Sequence, residues 1–250
     1  MFRWIATLLA WLLIGVTSFA FFIVDALVWL LTFWWDKRLW LLQRYSIVWA
    51  LFYLWVNPFW RINFSGKENV RKGQPYIIVS NHQSAMDIVL LYRLWMHFKW
   101  VAKREIFRIP VIGWNLWLNK HIAINRTSVK GALKMMKEAE LHLKMRSSVL
   151  IFPEGTRSSD GAIKRFRDGA FVLAHKTGYP ILPVVLNGTR EVIKKDSILL
   201  KGHQVLTLKI LPEINSDFYA EKSVNELASY VQDLITNEHM KIAPEYYVGR

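Results

Sequence analysis

Cysteine is absent from the 250-residue chain, which excludes disulfides and thiolate metal sites and fits a reducing compartment. Acidic residues are scarce, 19 against 33 lysines and arginines, for a formal charge of +14. That imbalance is uneven. Residues 1–62 hold Arg3, Lys37, Arg38, Arg44 and Arg61 against Asp25 and Asp36, so most of the excess lies in the remainder. A basic globular part suggests an anionic partner: nucleic acid, an anionic membrane surface, or a phosphorylated or acidic substrate. Internal repeats, low-complexity tracts and long linkers are also missing.

Charge itself is missing from Trp4 to Val24. As a helix this stretch reaches about 31 Å, enough to cross a hydrocarbon core of roughly 30 Å. It is too long for a signal-peptide core, and the apolar character runs on to Trp35. After the break Asp36-Lys37-Arg38, a second apolar segment extends from Leu39 to Trp60, interrupted only by Arg44. Nine of the 13 tryptophans lie in these first 60 residues, and indoles favour the membrane interface. Residues 1–62 are therefore expected to form a two-helix hairpin that anchors the chain in a lipid bilayer. Two full crossings and burial in one leaflet both fit. Either returns the basic domain to the side where the chain begins, which the positive-inside bias makes the cytoplasmic face.

From Arg61 the texture alternates between short β-like runs and helical patterns. Strands are expected at Tyr76–Ser80, Lys99–Ala102, His121–Asn125, Ser148–Phe152, Ile181–Leu186 and Val205–Leu211. Helices are expected at Ala85–His97, Ser128–Met145, Arg167–Lys176 and Ser223–Lys241. This predicts an α/β domain over residues 63–250, a mixed, largely parallel sheet flanked by helices, joined to the anchor near Arg61–Gly66. In Ser128–Met145, the apolar residues Leu133, Met136, Leu141 and Met145 face lysines, as core packing requires. Ligands gather at the carboxyl ends of parallel strands. That rule groups His82, Lys103, Arg104, Asn125, Arg126 and the turn Pro153–Ser158.

The segment Asn81-His82-Gln83-Ser84-Ala85-Met86-Asp87 sets an imidazole five positions before a carboxylate. On one continuous helix the two side chains would point about 140° apart. They meet only if His82 lies in a turn after a strand and Asp87 in the first turns of the next helix. So placed, Asp87 fixes the imidazole tautomer and His82 takes a proton from a hydroxyl. The same spacing also suits a partly exposed histidine beside an unrelated helix-terminal carboxylate. The second constellation, Phe152-Pro153-Glu154-Gly155-Thr156-Arg157-Ser158, has the composition of an anion-binding turn. Gly155 permits close backbone approach, Thr156 and Ser158 bring hydroxyls, and Arg157 brings a planar fork suited to phosphate. Arg126 and Lys103 add cations, whereas Glu154 suits a substrate hydroxyl or a neighbouring cation.

Together these blocks resemble the His-x4-Asp glycerolipid acyltransferases, and most nearly the 1-acyl-sn-glycerol-3-phosphate acyltransferases. Asn81–Asp87 matches their first block and Phe152–Ser158 their third. Ala123-Ile124-Asn125-Arg126 is similar to the second, with Asn125 where many members have Asp, and Ile181-Leu182-Pro183-Val184 to the fourth. Lys103–Trp114 resembles the stretch after the first block. The likeness covers roughly residues 63–215. It implies a glycerol-3-phosphate acyltransferase-like fold and acyl transfer from acyl-CoA or acyl-ACP (acyl carrier protein) to the 2-hydroxyl of lysophosphatidic acid, giving phosphatidic acid. In that chemistry His82 is the base and Asp87 its orienting partner. Arg157, Arg126 and Lys103 hold the phosphate, with Glu154 at the glycerol and Gly155 and Thr156 in the binding turn. No metal and no cofactor beyond the thioester co-substrate are implied, because a thioester is already activated. Another lysophospholipid or a lyso-aminolipid is the alternative acceptor. A non-catalytic, membrane-attached module for anionic lipid or nucleic acid would need neither the His82/Asp87 pair nor the Glu154–Arg157 turn, so nucleic acid is not expected as a partner.

Overall fold

Tyr76 to Val79 has both faces apolar, as a strand at the centre of a covered sheet requires, and these residues are fully buried. Around this centre, the computed structural model describes residues 2–125 and 128–248. Helices α1 (Phe2–Thr32) and α2 (Trp40–Trp55) come first. They are followed by β1 (Trp60–Ser65), β2 (Ile77–Ser80), α3 (Met86–Leu91), β3 (Phe98–Lys103), α4 (Ile112–Leu118), β4 (Ile122–Ile124), α5 (Val129–Lys144), β5 (Ser148–Ile151), α6 (Gly169–Thr177), β6 (Ile181–Asn187), α7 (Thr189–Val192), β7 (Gln204–Ile210), α8 (Ser216–Tyr219) and α9 (Val224–Ile242). Among the described residues, seven strands form one sheet in the order β1-β7-β6-β2-β5-β3-β4. All neighbouring pairs are parallel except β6–β7. The mixed, largely parallel sheet read from the sequence is present.

Successive side chains of a strand point to opposite faces, and the sheet sorts its residues accordingly. Ile77, Val79, Val149 and Ile151 pack with α5, α6 and α9 on one side. Tyr76, Ile78, Leu150 and Leu182 pack with α2 and α3 on the other. Each fully buried aliphatic side chain contributes about 1.5–3 kcal/mol, so the two layers lock the register of β2. A capping box starts α9: Ser223 Oγ accepts the Glu226 N–H, and the Glu226 carboxylate accepts the Ser223 N–H.

The structure departs from the sequence reading in four places. The segment expected as a junction is strand β1, paired in register from Trp60↔Gln204 to Ser65↔Lys209. Its alternating burial fits an edge strand. The apolar run ending at Trp60 hides that period. Helix α2 is shared with the domain, since Ile47, Leu51 and Leu54 belong to the core on the α2 side of the sheet. Helix α3 is only six residues long and passes through a 3-10 turn to Trp95, which has φ of 52°. In α5 the buried face is Met135, Met136, Ala139, His142 and Leu143, while Leu133 and Leu141 are exposed. Leu133 and Leu141 each precede a buried residue by two positions, about 200° of helix, which turns them outward.

Lys99, in β3, is 1% exposed, and its amine donates to the carbonyls of Asn119 (2.8 Å) and Arg38 (3.4 Å). Burial pushes its pKa down to about 7. A depressed lysine penalises the folded state fully below about pH 7, and the penalty is relieved as pH rises toward the unfolded value near 10.5. Wild-type stability therefore gains across that window. Lys99→Met lacks this gain, so its unfolding midpoint changes less between pH 7 and 10 when both proteins are followed by thermal denaturation. Equal slopes would contradict the assignment.

Candidate active site at the carboxyl edge of the sheet

Strand β2 ends at Ser80, and the next residue substitutes for a ladder rung. Asn81 Nδ2 donates to Leu186 O (2.9 Å), and Leu186 N–H donates to Asn81 Oδ1 (2.8 Å). The side chain satisfies the neighbouring strand while the backbone turns away, which carries His82 out of the sheet.

Asp87 lies in the first turn of α3 with no exposure to water. Its Oδ2 lies 2.7 Å from His82 Nδ1 and accepts the N–H groups of Gln83 (2.6 Å) and Ser84 (2.9 Å). Its Oδ1 accepts from the Thr189 hydroxyl. A carboxylate facing Nδ1 selects the Nδ1–H tautomer and leaves Nε2 as the ring's acceptor. The imidazole stacks on Phe152 with centroids 4.0 Å apart, and Phe152 stacks in turn on Trp100 at 6.0 Å.

The turn after β5 grips His82 by its backbone. Glu154 Oε1 accepts the His82 N–H (2.8 Å), Oε2 accepts the Lys164 N–H (3.1 Å), and Ser158 N–H donates to His82 O (2.8 Å). Both Glu154 oxygens are thus engaged by main-chain donors, so the side chain organises the loop, and the glycerol role inferred for it gives way to that duty. Glu154 is 4% exposed, and burial, with Asp87 nearby, raises its pKa to about 7. Gly155 has φ of 72°, and a Cβ there would meet the Arg167 guanidinium at 2.9 Å. Thr156 is exposed at the tip of the turn. Arg157 is partly exposed and lies 3.9 Å from Asp196. Arg126 lies outside the described residues.

Lys103, exposed at the end of β3, lines a cavity of about 160 Å³ together with His82. Its walls are largely aliphatic and aromatic, including Ile88, Val89, Tyr92, Trp100, Ile106 and Leu116, and α2 supplies one side. Ser46 and Asn115 also line it. They belong to a buried network in which Asp25 of α1 accepts from Asn115 Nδ2 (2.6 Å) and Ser46 Oγ (3.1 Å). The arrangement pairs an imidazole acceptor with an apolar chamber lined by one lysine, Lys103.

Sequence reasoning misses Thr189, Arg167 and the aromatic stack. Thr189 is within its reach, because β6 runs parallel to β2 and so ends at the same edge of the sheet. The stack leaves no periodic trace, since Trp100 lies on β3 and Phe152 just past β5.

The model of the acyltransferase family matches residues 61–187. A 1-acyl-sn-glycerol-3-phosphate acyltransferase from Chlamydomonas reinhardtii is 33% identical over 193 residues, 75% of this chain and 58% of that protein. One from Pseudomonas aeruginosa is 31% identical over 208 residues, 80% of each chain. Among solved structures, the 1-acyl-sn-glycerophosphate (LPA) acyltransferase PlsC of Thermotoga maritima superposes with a TM-score of 0.79 at 27% identity, covering 96% of this chain and 97% of that one. The chain spans about half the length of the curated algal and plant relatives it matches.

Glu154→Gln keeps one acceptor and turns an amide toward the second backbone N–H. Leaving a buried donor unpaired costs about 1–3 kcal/mol. The unfolding midpoint is expected to fall by several degrees, measured by calorimetry. An unchanged midpoint would remove Glu154 from the support of His82.

Proposed function

The chain belongs to the acyltransferase family, and from that premise we propose that it moves a fatty acyl group from a thioester to the 2-hydroxyl of 1-acyl-sn-glycerol-3-phosphate, forming phosphatidic acid. The observation that carries this reading is the 2.7 Å contact between His82 Nδ1 and Asp87 Oδ2 beside the apolar cavity. The names of the relatives support the acceptor.

In this reading the acyl chain of acyl-CoA or acyl-ACP occupies the cavity and its thioester carbonyl meets the acceptor hydroxyl at His82. His82 Nε2 takes the hydroxyl proton as the oxygen attacks the carbonyl carbon. The C–S bond then breaks, and the same nitrogen returns the proton to the departing thiolate. Asp87 holds the ring in register and supports the imidazolium that forms transiently. Arg157 and Lys103 bind the acceptor phosphate, the former exchanging Asp196 for it, and Arg126 is assigned with them on sequence alone. Such chemistry uses no metal or cofactor, because the thioester is activated before it binds.

The acceptor and product are lipids, and α1 suits that setting. It is long and apolar enough to cross a membrane, and its leucines are exposed, Leu12 at 64% and Leu31 at 69%. An apolar face of this extent marks a partner surface, here a lipid bilayer. The basic domain would lie on the cytoplasmic face by the positive-inside bias.

Purified protein given lysophosphatidic acid and a labelled acyl thioester should yield phosphatidic acid. Turnover only on a non-phosphorylated acceptor would overturn the assigned substrate. His82→Ala should reduce turnover by about three orders of magnitude or more, in line with loss of a general base within a dyad, while the fold is retained and the thermal midpoint falls by only a few degrees as buried Asp87 loses one donor. Arg157→Ala should raise the KM for lysophosphatidic acid more than it lowers kcat, and an unchanged KM would remove the phosphate contact.

A further inference from the structure

Gln83 follows the catalytic histidine, and its backbone N–H is one of the donors that hold Asp87. Its side chain is 1% exposed and has no part in the chemistry above. The carboxamide reaches the far end of the chain. Gln83 Nε2 lies 3.1 Å from His239 Nε2, in the last turns of α9, with Asn187 Oδ1 (3.4 Å) and Gly161 O (3.5 Å) as its longer contacts, while Gln83 Oε1 lies 3.4 Å from the Thr189 hydroxyl, whose proton goes to Asp87. His239 has no exposure to water, and its Nδ1 lies 2.8 Å from the Tyr247 hydroxyl. That hydroxyl also accepts the Ile163 N–H at 3.4 Å, in the loop that continues from the Glu154 turn.

The donor inventory fixes the direction of this chain. An amide nitrogen only donates, so His239 Nε2 accepts from Gln83, and the ring proton lies on Nδ1 and donates to Tyr247. The ring is also packed from the side. Tyr246 stacks parallel to it at 5.9 Å and 6°, and Tyr246 fills the space where a side chain on Gly161 would stand. Burial lowers the His239 pKa to about 4, which keeps the acceptor nitrogen unprotonated at neutral pH.

We propose that His239 is a positioning residue for the acyl transfer. As the neutral Nδ1–H tautomer it fixes the Gln83 carboxamide, and thereby the backbone N–H that holds Asp87 against His82, with Tyr247 fixing the imidazole from the other side. A histidine that merely filled the core would need no donor at Nε2, and its loss would lower stability without loosening Gln83.

The turnover readout rests on the proposed acyltransferase reaction, whereas amide exchange does not. The full-length protein and the variants His239→Leu, His239→Gln and Tyr247→Phe would be assayed with lysophosphatidic acid and acyl-CoA. Hydrogen–deuterium exchange would be followed in the peptide containing Gln83 and Ser84. His239→Leu should lower kcat by about tenfold or more, the scale of one lost buried hydrogen bond, with the acceptor KM unchanged and exchange at Gln83 and Ser84 faster. His239→Gln restores an acceptor for Gln83 and should recover most of both. Tyr247→Phe should fall between Leu and wild type. Slow exchange in both His239→Leu and Tyr247→Phe, or a Gln variant no better than Leu, would overturn the proposal. Should the Leu variant fail to fold, Tyr247→Phe and His239→Gln decide by the same readouts. A wild type inactive with every acyl thioester would defeat the proposed function, and the exchange comparison would still decide the role of His239.

Discussion

Two buried carboxyl groups grip one residue, and much of the site depends on that grip. Asp87 holds the His82 ring, and Glu154 holds its backbone N–H. Taking two such groups out of water near each other is unfavourable unless donors surround them. The chain meets that need with main-chain N–H groups, from Gln83 and Ser84 for Asp87 and from His82 and Lys164 for Glu154. Main-chain donors have little freedom once their turns are set. The arrangement therefore ties the imidazole to the path of the backbone, and two turns at different strand ends are fastened to each other.

A similar rule shapes the join between α1 and the rest. Asp25 is the only acidic residue in the long apolar helix, and it is fully buried. Its partners Ser46 and Asn115 come from α2 and α4, so their hydrogen bonds set how α1 lies against both. An apolar surface alone would let one helix slide along another, since the hydrophobic effect has no direction. A hydrogen-bonded carboxylate does not slide. Because Ser46 and Asn115 also line the cavity beside His82, the seat of α1 and the shape of that chamber are set by the same side chains.

The central strands are legible in the sequence because β2 and β5 are covered on both faces and therefore read as continuous apolar runs. Helices α5 and α9 are legible from their 3.6-residue patterns and their serine caps. Strand β1 is hidden because the apolar segment before it runs into its first residue, Trp60. The faces of α5 are misread because lysines occur around much of that helix and Leu133 and Leu141 mimic a core stripe. Within the site, neighbours in sequence are easier to read than neighbours in space. The strand-end rule reaches His82, Lys103 and Arg157 and extends to Thr189 just past β6, while His239 meets the first block only across a separation of 156 residues.

Such separations show why a short signature is a small part of a working site. Asn81 replaces a strand rung, Asp87 orients the ring, Glu154 and Ser158 hold the main chain, and His239 closes the network from the last long helix. Each contact limits a different motion of His82: its exit from the sheet, the rotation of its ring, the drift of its backbone and the looseness of the residue that follows. A proton acceptor that must return the same proton to a leaving thiolate cannot wander between the two steps. For the acyl transfer proposed here, the fold's contribution is to remove those motions before substrate arrives, while the wall beside Phe152 and Trp100 stays apolar.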